Sequence, residues 1–84
     1  MPNAKAKAVH GRLADYFAAQ PNYLADDTPN ARRCDELPWQ YAHADRTEDL
    51  EVLLIQYEFL QAKVDVFGPQ PLIDDFDFLR PESY

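Results

Sequence analysis

Arg32-Arg33-Cys34-Asp35-Glu36-Leu37-Pro38-Trp39-Gln40 is the stretch on which the fold turns. Cys34, Leu37, Pro38 and Tyr41 recur at three- and four-residue spacings, which puts them on one side of a helix, with Trp39 and Ala42 beside them. Thr28-Pro29 upstream is a start signal, a hydroxyl cap followed by proline at the first helical position, so the spacing predicts a helix from Pro29 to about Ala44. Pro38 inside it removes one backbone hydrogen bond and crowds the Cys34 carbonyl. It either kinks the axis or breaks the helix, with a fresh start at residue 38. Trp39 is the only tryptophan. Its place beside Leu37 and Tyr41 favours a core role over an exposed anchor for a partner. As a core residue, Trp39→Ala would cost about 3–5 kcal/mol by cavity formation.

Upstream, residues 4–19 read as a first helix, with Ala6, Val9, Leu13, Tyr16, Phe17 and Gln20 as its apolar stripe. Asn3 can cap it, Gly11 marks a site of close packing, and Pro21 ends it. Tyr23 and Leu24 fold back from the following loop onto the core. Downstream, Thr47 is the expected cap of a third helix, Glu48 and Asp49 suit its positive end, and Leu50, Leu53, Leu54 and Tyr57 form its stripe. Phe59, Leu60, Ala62, Lys63 and Val64 do not continue that stripe, which favours a break around residues 56–58 and a fourth helix ending near Phe67. Periodicity alone leaves a continuous helix open. Gly68-Pro69-Gln70-Pro71 is punctuation, after which Leu72, Ile73, Phe76 and Leu79 suggest a fifth helix with Pro71 in its first turn. The expected architecture is all-α: one domain over residues 1–84, ordered over about 4–79, with four to five short antiparallel helices in a compact bundle or bent stack.

Eighty-four residues bound this to one domain with a thin margin, burying roughly 60–65% of its unfolded surface and stable by about 4–12 kcal/mol. Two glycines disfavour a hairpin-rich β fold or a glycine-lined phosphate loop. Five of the eight basic side chains and five of the fifteen acidic ones fall in residues 1–42, so residues 43–84 carry the whole net charge of −7. A surface of that sign repels phosphate, so neither nucleic acid nor an anionic membrane is an expected partner. It keeps the domain soluble, or it docks a basic protein. The single Cys34 rules out an internal disulfide and fits a reducing, cytoplasmic setting. The aliphatic run Val52-Leu53-Leu54-Ile55 falls far short of the ~20 residues a membrane helix needs.

Asp74, Asp75 and Asp77 form an acidic cluster without the glycine and terminal glutamate of an EF-hand loop, so surface acid is the preferred reading over a cation site. His10, His43 and Cys34 lack ligand spacing and any third orienting group, which argues against both a metal trio and a Cys–His nucleophile. Arg32 and Arg33 are spaced to pair with Asp35 and Glu36 along a helix face, each pair worth about 0.2–0.5 kcal/mol. Alternatively they form a basic spot that docks onto an acidic neighbour, the second half of this chain being one. Arg32, Arg33, Asp74, Asp75 and Asp77 are thus the candidate interaction residues. No catalytic residue, metal, cofactor or small-molecule substrate is expected.

Arg12-Leu13-Ala14-Asp15-Tyr16-Phe17, Arg32-Arg33, Glu36-Leu37-Pro38-Trp39, Phe59-Leu60 with Ala62-Lys63-Val64, and Leu72-Ile73-Asp74-Asp75 together carry a resemblance. Their order and spacing resemble the helical domain of STAND-type signalling ATPases, which lies between a nucleotide-binding core and WD40 or TPR-like sensor repeats, as in apoptotic-protease-activating-factor-like proteins. The resemblance spans roughly Gly11 to Leu79. It implies a bent helical stack that links motor and sensor, has no catalytic residues of its own, and takes neighbouring protein domains as partners. The rival expectation is a free-standing acidic protein that regulates a basic partner through residues 43–84. The length of the natural reading frame separates the two.

Overall fold

Five helices follow one another in the computed structural model, which describes residues 4–79: α1 (Ala4–Ala18), α2 (Ala31–His43), α3 (Thr47–Leu53), α4 (Tyr57–Phe67) and α5 (Pro69–Asp77). The all-α class expected from periodicity is what forms. The Asn3 cap and the tail at 80–84 lie outside the described residues.

Local chemistry sets most of the boundaries, in places through a neighbour of the expected residue. Asn30, not Thr28, caps α2, its side chain accepting from the Arg33 N–H. Thr28 instead donates from both its N–H and its hydroxyl to Asp26 Oδ1, at 3.2 and 2.6 Å. Pro29 faces Tyr23 across an isolated antiparallel bridge that closes the loop. Thr47 is the first residue of α3, with Arg46 in the cap position and no side-chain cap bond. The break between α3 and α4 falls at residues 54–56. Gly68 ends α4 and begins α5 at φ 79°, ψ −178°, a conformation reserved for glycine, and Pro69 takes the first helical position of α5.

Pro38 does not break α2. It has no N–H to give the carbonyl one turn back, so the Cys34 oxygen should be an orphan inside the core. Lys63 of α4 fills the vacancy: its ammonium donates to Cys34 O at 2.6 Å. The same Nζ stands 2.9 Å from Asp75 Oδ2 of α5 and 5.4 Å from the centre of the Phe67 ring. A proline in one helix, a lysine in the second and an aspartate in the third thus form one buried polar node.

Around that node the core gathers Phe17 of α1, Cys34, Leu37 and Tyr41 of α2, Leu50, Leu53 and Leu54, and Phe59 and Ala62 of α4. Helix α2 lies against α1, α3 and α4, and α5 packs on α4. Parts of the expected stripes do not enter this core. On α1 only Ala14 and Phe17 are buried, while Val9, Leu13 and Tyr16 (62% exposed) face out. Small Ala14 and half-buried Ala18 provide the face that lies on α2. Tyr57, Leu24, Ile73 and Phe76 are also exposed, whereas Tyr23, Leu72 and Leu79 pack on the core as expected. The physical reason is topology: α1 packs chiefly on α2 and α5 on α4, so each offers one side to a neighbour and leaves its opposite side uncovered.

The expected close packing at Gly11 is absent, since a methyl built there would meet no atom within 4 Å. Arg46 ties α1 to the α3 entrance by donating to Asp15 Oδ1 at 2.6 Å, to Asp49 Oδ2 at 2.7 Å and to Gly11 O at 3.3 Å. Those two carboxylates raise its already high pKa.

Candidate functional site

Trp39 is not a core residue. Its indole is 46% exposed, because a helix turns about 200° over two residues and Leu37 takes the inward side. The core forms without it. The indole stacks on His43, ring centroids 3.6 Å apart, and meets the Phe78 ring edge-on at 6.3 Å. The alternative reading of this residue, an exposed aromatic anchor, is therefore the one its position supports.

Trp39 borders a cavity of about 430 Å³ between α2 and the α5 end of the molecule. Asp35 and Glu36 join it from α2, and Asp74, Asp75 and Phe78 from the α5 side. Spacing within α2 explains the first group, since Trp39 stands four residues after Asp35 and three after Glu36, on a shared face. Gln40 Nε2 steadies Glu36 at 3.2 Å, and Gln70 Nε2 steadies Asp74 at 3.0 Å. Gln40 Oε1 in turn stands 2.7 Å from His10 Nδ1, so that ring nitrogen carries the proton.

The floor is the Lys63–Asp75 pair, 2% and 6% exposed. Burial pushes the Asp75 carboxyl above its ordinary value. Lys63 pulls it back down, while the charges of Asp35 and Asp74 push it up again. Asp35, Asp74 and Asp75 all line the one cleft. As an ion pair the floor is neutral, which leaves Asp35, Glu36 and Asp74 to set the sign of the cleft.

The five candidate interaction residues do not act together. Asp74 and Asp75 share the cleft, Asp75 as a buried structural member and Asp74 on the rim. Asp77 does not line it. Arg33 is no docking spot: it is buried, donates from Nε to Phe17 O at 3.0 Å and from Nη1 to Asn22 Oδ1, and lies over the Phe59 ring. It therefore ties the end of α1 to α2 in place of pairing with Glu36, and burial lowers its pKa. Arg32 stays exposed and borders a separate cavity of about 300 Å³ beside Leu13, Tyr16 and Gln20.

Sequence reasoning does not single out Asp35, Glu36, Trp39 and Phe78 as a site. The available signal is an acid–acid–aromatic set on one face of α2. That α5 brings a second acid and a second ring opposite it is a tertiary fact. Cys34 is fully buried, and burial raises its thiol pKa. His43 Nδ1 donates to Trp39 O at 2.9 Å. Among the described residues, no group of three His, Cys, Asp or Glu side chains is placed to hold a metal ion. Nor is any helix among them long and apolar enough to cross a membrane. No family model, curated protein or solved structure matches this chain, so the resemblance to the STAND helical domain rests on the residues that carry it.

Proposed function

We propose that this chain is a non-catalytic protein-interaction module of helices, of the kind that links a nucleotide-binding core to sensor repeats in a multidomain signalling ATPase. One observation carries the interaction role. Val9, Leu13 and Tyr16 make a regular apolar stripe along α1 that faces away from the core. Their i, i+4, i+7 spacing suits a packed helix face, and its natural cover is an apolar surface of an adjacent domain in the same polypeptide. The outward Trp39 shifts the role from internal brace towards docking. Support for a non-catalytic role comes from the Cys34 thiol, sealed in the core with a raised pKa, and from the two histidines, each held by a helix neighbour or by Gln40.

The test is hydrogen exchange of α1 in the chain alone and in the polypeptide encoded by its natural reading frame. Amide exchange in α1 is expected to slow about tenfold in the longer protein, a gain of about 1.4 kcal/mol in local stability. A reading frame that encodes no further domain, or α1 exchange that is equal in both, overturns the linking role.

A further inference from the structure

The cleft between α2 and α5 offers a binding chemistry distinct from the apolar stripe of α1. Its rim carries Asp35, Glu36 and Asp74, and among the described residues no lysine or arginine pairs with any of them. Its walls include the Trp39 and Phe78 rings, 46% and 40% exposed. Below them lies Asp75, whose side chain is only 9% exposed. Its Oδ2 stands in an ion pair with the Lys63 ammonium at 2.9 Å, which lines the cleft with it, and has no further hydrogen-bond partner. The floor is thus neutral as a pair, and the unanswered negative charge of the cleft is that of the rim carboxylates. Aromatic faces attract cations, and a guanidinium or ammonium on a long alkyl stem satisfies rings and carboxylates at once.

We infer that the cleft between α2 and α5 binds an arginine or lysine side chain from a basic segment of a partner protein, its stem against Trp39 and Phe78 and its charged head among Asp35, Glu36 and Asp74. The volume of about 430 Å³ has room for one long side chain, and it sits near the lower end of small-ligand pockets, roughly 300–1,000 Å³. The net charge of −7 steers such a segment towards the surface. This rests on the interaction-module reading, although it uses neither the α1 stripe nor the linking role.

Trp39 is the only tryptophan, so its emission reports the cleft directly. An acetylated peptide of alternating glycine and arginine is titrated into the whole chain, with a glycine–glutamate peptide and free arginine as comparisons. The basic peptide is expected to change Trp39 emission to saturation, and the two comparisons to leave it flat. Asp35→Asn with Asp74→Asn should weaken binding about tenfold. Glu48→Gln with Glu51→Gln, an equal loss of charge on α3, should change it less than about twofold. Asp74→Lys, which places a cation of the chain's own in the cleft, should abolish the response. Equal weakening by both pairs of substitutions shows diffuse attraction and overturns the cleft, and so does a silent Trp39. Saturation by free arginine would identify a small-molecule cation site and overturn the protein partner. A silent Trp39 together with protected α1 removes this inference alone and leaves the module reading standing.

Discussion

Replacing Lys63 with methionine tests the buried node most directly, because it keeps the stem and removes only the charge and its donors. Lys63 is 2% exposed, so no solvent replaces what is lost. Two groups are stranded: the Cys34 carbonyl that Pro38 already leaves without a backbone donor, and the Asp75 carboxylate. An orphaned buried acceptor costs about 1–3 kcal/mol, and breaking a buried ion pair from one side costs about 3–5 kcal/mol in all. Against a total of about 4–12 kcal/mol, that removes a large share of the stability.

The loss has a pH signature. Burial already raises the Asp75 pKa above 3.8, and both causes that lower it come from Lys63. Without Lys63 the folded-state value moves further up. An acid whose folded pKa is raised binds more protons in the folded state. Stability therefore falls as pH rises through the interval between 3.8 and the raised value, by up to about 1.4 kcal/mol per pH unit. Urea melts followed by circular dichroism from about pH 5 to about pH 8 should show Lys63→Met strongest in acid. Adding Asp75→Leu should recover most of the loss and flatten the pH profile. Adding Pro38→Ala should recover the Cys34 share, since alanine at that position restores an N–H to the Cys34 carbonyl. A loss below about 1 kcal/mol that is the same at both ends of the pH range would refute the claim that the node is dry and paired.

Gly11→Ala should stabilise by about 0.5–1 kcal/mol, since the added methyl meets open space on a helix; an unchanged or lowered urea midpoint would contradict this. Gly68→Ala should destabilise by about 1–3 kcal/mol purely through its backbone, and amide exchange should rise first in α5, which Gly68 joins to α4. Trp39→Ala, half exposed, should cost only about 1–2 kcal/mol, well short of a core tryptophan, and a larger drop in the melt would return the indole to the core. Cys34 should resist a colourimetric thiol reagent in the native chain and react fully in denaturant; rapid native labelling would show that its pocket opens.

Helix α2 shows how sequence legibility divides. Spacing puts Cys34, Leu37, Pro38 and Tyr41 on one face and all four are buried, because four positions at helical spacing leave little choice. Adjacency to Leu37 points Trp39 inward, and adjacency is not a helix relation. On α1 the larger side chains mark one face and the smaller ones another. The small face packs on α2, since Ala14 allows close approach and Phe17 alone reaches the core. Lys63 gives no signal at all: a charged residue reads as surface unless its carbonyl and carboxylate partners are known in advance.

The helical class and the approximate ends of α1, α2 and α5 follow from the chain alone, because Pro, Gly and Asx residues and the 3.6-residue period act within a few positions of where they stand; that α2 runs through Pro38 and that α3 and α4 are separate does not. Which face of each helix turns inward, the pairing of Lys63 with Cys34 and Asp75, and the acidic–aromatic cleft needed the assembled tertiary structure. Each joins residues many positions apart in sequence, so its energy depends on how the helices settle against one another.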